Sequence, residues 1–293
     1  MALVKAQEIL SDARKNKYAV PMFDVSNYEY VRYLAEIADD LKSPVLLAGI
    51  PPDIKGVALE YLYALMKIAA ERVKVPVAIH LDHSGSFEDC KRCIDIGFNS
   101  VMIDKSASSF DENVAQTKEV VEYAKKFDVC VEAELGHVPD AIPGHGEAAM
   151  QGHEHKDVKD TLTKVEDVEK FVALTGVDAL AVAIGTAHGT YISAPELDIE
   201  RLKQINAISK ATLVLHGGSG TPESELKAAI ANGISKINIY TDLVTAYNKE
   251  MKANYAVMTN MGTWPLINQK KPIEAMQAKA AEYINMFGSA NRA

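Results

Sequence analysis

The strongest constraint on the fold is an alternation repeated eight times along the chain. Short apolar, β-branched runs occupy residues 19–23, 44–47, 76–81, 100–103, 129–135, 179–184, 212–215 and 236–239, and longer stretches with helical spacing follow them. Residues 28–41 place Val31, Leu34, Ala35 and Ala38 on one helical face; 113–127 do the same with Val114, Thr117, Val121 and Ala124. Further helices are expected over 55–72, 166–175 and 272–287. Several of the short runs are apolar on both faces, as strands of a parallel sheet covered on both sides must be. Eight strand–helix units predict an α/β fold, a (β/α)8 TIM barrel, as a single domain over residues 1–293. A doubly wound open sheet would use fewer strands and leave a second domain to explain, and no Pro/Ser/Gly-rich linker divides the chain. The longest stretch without periodicity, 136–163, reads as a lid-like loop.

Polar residues stand where the apolar runs end: Asp24, Asp82 and His83, Asp104, Glu134, His188, His216 and Asn238. In a barrel all these ends open on one face, where active sites are built. Any one of these histidines would pass for a hydrogen-bonded strand end. Three of them meeting at one mouth form a ligand set for zinc, with one coordination position left for substrate or water. Asp82 precedes His83, so its side chain diverges and is available as a general acid/base beside the metal, or as a carboxylate orienting a histidine. After the seventh run comes His216-Gly217-Gly218-Ser219-Gly220, and at the end of the eighth Asn238-Ile239-Tyr240-Thr241. Loops seven and eight of such barrels cradle phosphate with backbone N–H groups, and glycine lets the anion approach. A net charge of −9 excludes a general nucleic-acid binder. No apolar run nears the roughly 20 residues that span a bilayer, so no membrane role is expected. Residues 1–11 do not read as a secretory signal, and three cysteines make no disulfide framework, so the expected compartment is a reducing cytoplasm. Cys90 and Cys93, one helical turn apart, read as structural.

Six segments in order then carry a resemblance: His80-Leu81-Asp82-His83, Ser100-Val101-Met102-Ile103-Asp104, Glu132-Ala133-Glu134-Leu135-Gly136, Val182 through Gly189, Leu215 through Gly220, and Lys236-Ile237-Asn238-Ile239. Together they resemble the class II, zinc-dependent ketose-bisphosphate aldolases of the fructose- and tagatose-bisphosphate type, over most of the chain. The resemblance implies a lyase of carbohydrate metabolism that splits a ketose 1-phosphate or bisphosphate into dihydroxyacetone phosphate and an aldehyde. It implies one Zn2+ on His83, His188 and His216, an alternative metal position at Asp104 and Glu134, and Asp82 as the catalytic acid/base. Gly189, Gly217, Gly218, Ser219, Asn238, Ile239, Tyr240 and Thr241 would bind the ketone phosphate, with a monovalent cation (Na+ or K+) near it. Asn238 would also donate a hydrogen bond to charge developing on the ketone oxygen. The metal acts as a Lewis acid, so no Schiff-base lysine is required. The family's habit of assembly implies a homodimer or homotetramer.

Two departures stand out. Where bisphosphate-cleaving relatives carry Asn, Gln-x-Ser and a basic residue for the distal phosphate, this chain has Asp24, Ala48-Gly49-Ile50 and Val244. Polar and cationic contacts are lost at all three places and an anion is gained, so the acceptor aldehyde is expected not to be a phosphorylated triose; Arg292 is a candidate to restore an anion site. The usual acidic Gly-Gly-x-Glu-Asp lid motif is also absent. Glu147 is taken as the base that removes the carbon proton, with Asp140 and Glu154 as rivals, and the lid histidines read as solvated. The competing functional class is a non-catalytic, aldolase-like sugar-phosphate binding protein; a zinc hydrolase fits the Gly-rich cradle less well.

Overall fold

The computed structural model describes residues 3–142 and 157–293. The expected barrel is present. Strands β1 (Val20–Asp24), β2 (Val45–Gly49), β3 (Val77–Ser84), β4 (Ser100–Ile103), β5 (Cys130–Leu135), β6 (Ala179–Val182), β7 (Thr212–Leu215) and β8 (Ile234–Ile239) pair in parallel in chain order. The barrel closes where β1 meets β8, with Met22 opposite Asn238 and Phe23 opposite Ile239. Helix α1 (Ala6–Asn16) precedes the barrel. Around it run α2 (Tyr28–Asp40), α3 (Ala58–Arg72), α4 (Phe87–Ile96), α5 (Phe110–Ala124), α6 (Val165–Thr175), α7 (Ile199–Ile208), α8 (Glu223–Ala231), α9 (Thr241–Val257) and α10 (Pro265–Met286).

Strand side chains alternate between two cores, as the period of two requires. Phe23, Leu47, Ile79, Leu81, Val101, Ile103, Leu180, Leu213, Leu215 and Ile237 point outward into the layer shared with the helices. Val20, Met22, Leu46, Ala48, Ala78, Cys130, Ala179, Ala181 and Val214 fill the inside of the barrel. Ala6, Ile9 and Leu10 of α1 join that inner cluster, so α1 plugs the end where the strands begin. The open end, where the strands finish, is left to the functional groups. Helix starts are set by side-chain caps: Asn27, Ser86 and Ser109 each accept the backbone N–H three residues on.

Several boundaries differ from the sequence reading. β3 runs on through Asp82 and His83 to Ser84, past the last apolar residue, because both polar side chains find partners at the barrel mouth. The last helix starts at Pro265 and carries Pro272 inside it, rather than starting there. It packs against α9 and α2, and it is α1 that closes the barrel bottom. Arg292 is not near the open end of its own chain: its backbone N–H bonds Lys42 O and its guanidinium lies 5.2 Å from the Tyr18 ring, at the end where the strands begin. Within one subunit it cannot serve a distal anion site. Cys90, Cys93 and Cys130 are buried free thiols, Cys90 resting on Met102 O. Among the described residues no helix is long and apolar enough to cross a membrane.

Candidate active site

At the open end, the imidazoles of His83, His188 and His216 converge. Ring centroids lie 4.9 Å apart for His83 and His188, 4.5 Å for His83 and His216, and 6.0 Å for His188 and His216. One nitrogen from each lies within 4.8 Å of the others. His83 Nδ1 bonds Asp104 Oδ2 at 3.0 Å, and His216 Nε2 bonds Glu132 Oε1 at 2.8 Å. A carboxylate can only accept, so these two ring nitrogens carry the protons. The opposite nitrogens, His83 Nε2 and His216 Nδ1, lie 2.8 Å apart. With both rings neutral, two lone pairs would face each other there, an approach that a cation between them relieves. Neutral imidazoles held from behind by carboxylates are the arrangement that fits a divalent metal. Burial lowers the pKa of both His188 and His216, which favours the unprotonated rings that ligation demands.

Local backbone geometry makes the site possible. In a regular strand Asp82 and His83 would point to opposite faces. The β3–β4 register shifts between Leu81 and Ser84, and His83 adopts φ +48°. That left-handed conformation, uncommon for histidine, lets both side chains stay at the mouth. They do diverge as expected: His83 leans on β4 through Asp104, while Asp82 reaches across to β8, where Asn238 Nδ2 donates to its two oxygens at 3.1 and 3.2 Å. Burial alone would raise the Asp82 pKa, but the neighbouring His83, His80 (Nε2 at 3.7 Å), His216 and Lys236 together hold it well below the ordinary value. Asp82 is therefore a buried carboxyl group, favoured in its ionised form, directly preceding His83 of the imidazole cluster.

Asp104 and Glu134 lie with His83 in a second buried group whose ligand atoms are also within 4.8 Å. Burial would raise the Asp104 pKa, but the His83 hydrogen bond and charge overcome it; burial and the Asp104 charge push Glu134 up. Glu134 Oε1 also accepts from Val138 N at 2.8 Å, fixing the first turn of the lid segment.

The glycine cradle sits beside the N-terminus of α9. A Cβ on Gly217 (φ +66°) would lie 2.4 Å from Ala187 O, and one on Gly218 would lie 2.5 Å from Ile237 Cγ2 and 2.8 Å from Ile239 Cδ1. Only glycine fits either position. Ser219 Oγ accepts from Tyr240 N and Asp242 N at 3.3 and 3.2 Å, tying this loop to the first turn of α9, which opens at Thr241. A helix start of this kind favours an anion. Gly189 (φ +91°) directly follows His188, and Asp24 ends β1 at the same mouth, buried.

Both described ends of the lid segment are anchored. His137 N bonds Thr161 O, and Thr163 N bonds Ala183 O. Asp140 is buried on a short parallel bridge to His188, with His188 N bonding Pro139 O and Ala141 N bonding His188 O. Of the three base candidates, Asp140 is thus paired through its backbone with His188, while Glu147 and Glu154 lie outside the described residues.

Sequence reasoning gave no role to three charged or polar residues inside the barrel. Lys236 Nζ is fully buried and bonds Glu132 Oε2 at 2.8 Å, and His80 Nδ1 bonds Ser100 Oγ at 2.7 Å. The signal was present: His80, Glu132 and Lys236 each stand two residues before Asp82, Glu134 and Asn238, hence on the same inward strand face.

A sequence profile of the family described as "Fructose-bisphosphate aldolase class-II" matches residues 4–292. The chain belongs to the class II fructose-bisphosphate aldolase family. Its fold superposes on the YdjI aldolase of Escherichia coli K12 with a TM-score of 0.85 and 33% identity, covering 99% of each chain. A candidate fructose-1,6-bisphosphate aldolase from Coccidioides immitis gives 0.85 and 30%, covering 98% of this chain and 97% of that one. The fructose-bisphosphate aldolase (Fba) of Campylobacter jejuni shares the fold at 20% identity, TM-score 0.79, over 100% of this chain and 97% of that one. The family is one of lyases that make and break carbon–carbon bonds by aldol chemistry, with a metal at the site.

Proposed function

We propose that this chain is a zinc aldolase that reversibly cleaves a ketose 1-phosphate or ketose bisphosphate to dihydroxyacetone phosphate and an aldehyde. The observation that carries the reading is the convergence of the His83, His188 and His216 ring nitrogens within 4.8 Å of one another, with the buried carboxylate of Asp82 alongside. A divalent ion on those three residues supplies Lewis-acid polarisation of the ketone. Asp104 and Glu134 are its alternative position. Asp82 takes the proton of the substrate hydroxyl in cleavage and returns it to the new alkoxide in synthesis. Asn238, which holds Asp82 in the unliganded site, donates instead to the ketone oxygen as charge develops there. Gly189, Gly217, Gly218, Ser219 and the segment from Asn238 to Thr241 bind the phosphate. A lid carboxylate removes the carbon proton: Glu147 by its place in the loop, with Asp140 as the competitor already beside His188.

The acceptor end is read as unsuited to a second phosphate. Asp24 puts a buried carboxyl group at the mouth, and Arg292 of the same subunit sits at the opposite end of the barrel. Comparing kcat/KM for ketose 1-phosphates and 1,6-bisphosphates tests this; a strong bisphosphate preference overturns it. Solvent exchange of a carbon-bound proton of dihydroxyacetone phosphate tests the activity itself. Exchange that vanishes on chelation and returns with zinc supports the enzyme; tight binding without exchange favours the sugar-phosphate binding protein. The chain is further read as a homodimer or homotetramer. Tyr255, Val257, Met261, Trp264 and Ile267 expose a run of apolar surface where α9 gives way to α10. Three buried free thiols accord with a reducing cytoplasm.

A further inference from the structure

The loops bearing His188 and His216 come from neighbouring strands, and one side chain clips them together. Tyr191, three residues after His188, turns its hydroxyl back between the two loops. It accepts from Ala187 N at 2.8 Å, the residue before His188, and donates to Gly217 O at 2.9 Å, the residue after His216. The loops are already in close contact, since a Cβ on Gly217 would strike the Ala187 carbonyl. The Tyr191 ring also packs against Gly220, where a Cβ would lie 3.2 Å from Cδ2. Thr221 Oγ1 donates to the same Gly217 carbonyl at 3.2 Å, so the clip reaches from the His188 loop to the end of the Gly-rich cradle.

We infer that Tyr191 is a positioning residue: its hydroxyl fixes the separation of His188 and His216, and thereby tunes metal affinity and the seating of the phosphate cradle. This rests on the reading of His83, His188 and His216 as the metal site. His83 needs no such help. It is held by Asp104 and by its own strand bulge. Partners one step behind the ligands set ligand geometry, and their loss typically weakens metal binding about 10–100-fold. Tyr191 touches only the backbone flanking two ligands, which puts the expected loss near the lower end.

The test is Tyr191→Phe, which keeps the ring on Gly220 and removes the hydroxyl alone. Thr175→Val is the control. Thr175 Oγ1 likewise bridges backbone groups, donating to Phe171 O and accepting from Val177 N, but at the opposite end of the barrel. Zinc Kd is measured by chelator competition on the metal-stripped proteins, with Tm of the stripped form and kcat and KM of the reloaded form alongside. Tyr191→Phe is expected to raise zinc Kd about tenfold and to raise KM for dihydroxyacetone phosphate, while Thr175→Val leaves zinc Kd within twofold even where its Tm falls. Unchanged zinc Kd in Tyr191→Phe overturns the inference and leaves the metal site standing. Equal weakening in both variants also overturns it, by showing a general loss of stability. Failure of the parent protein to bind one zinc, or retention of zinc by His188→Ala, sinks the metal reading and the clip with it.

Discussion

Replacing Lys236 with Met isolates the ion pair inside the barrel. Lys236 Nζ lies 2.8 and 3.1 Å from the Glu132 oxygens, both side chains are buried, and Glu132 in turn holds His216. Burial alone would raise the Glu132 pKa, but the Lys236 charge, the His216 hydrogen bond and the His80 and His216 charges bring it from 4.5 down to about 2. At about 1.4 kcal/mol per pH unit, that fall corresponds to about 3 kcal/mol of stability. The sign follows from the direction: a depressed carboxylate stabilises fully above its unfolded pKa of 4.5, and the contribution is lost as pH falls from there through about 2. Removing one partner of a buried pair independently costs about 3–5 kcal/mol. Urea unfolding of metal-stripped protein at pH 7 should therefore show Lys236→Met less stable by about 3 kcal/mol. Adding Glu132→Gln, which removes the stranded charge, should recover most of that loss. A loss under about 1 kcal/mol, or a double variant no better than the single one, would refute the reasoning, because a buried Glu132 that tolerates losing its cation was never held by it.

The other predictions concern chemistry and assembly. Asp82→Asn should cut kcat by about 10²–10⁴-fold with zinc content unchanged by metal analysis; turnover within tenfold of the parent removes Asp82 from the proton path. Gly218→Ala adds a methyl 2.5 Å from Ile237 Cγ2, an overpacking of about 1–3 kcal/mol, and should raise KM for dihydroxyacetone phosphate while sparing zinc; an unaltered KM would show that the anion binds elsewhere. Trp264→Glu should shift the sedimenting species toward monomer, and an unchanged mass would move the interface away from the α9–α10 junction.

The sequence alone determined the architecture and the cast of the site. Eight apolar runs spaced by amphipathic stretches have few ways to bury both faces of every strand, and a closed parallel barrel does so with all eight in one domain. Once the barrel is granted, strand-end residues such as His83, His188, His216 and Asp82 must share one mouth, however far apart they lie in the chain. What tertiary structure decided is how they meet. No period in the sequence encodes the bulge and positive φ that keep Asp82 and His83 both at the mouth, the register that sets Lys236 beside Glu132, or the fold-back of Tyr191 between two loops. The placement of Arg292 at the closed end likewise follows from where the last helix runs, not from what precedes it in sequence. Local patterning fixes which way a side chain faces within its own strand. Distances between side chains on different strands depend on barrel closure and register, which only the packing of all eight units together sets.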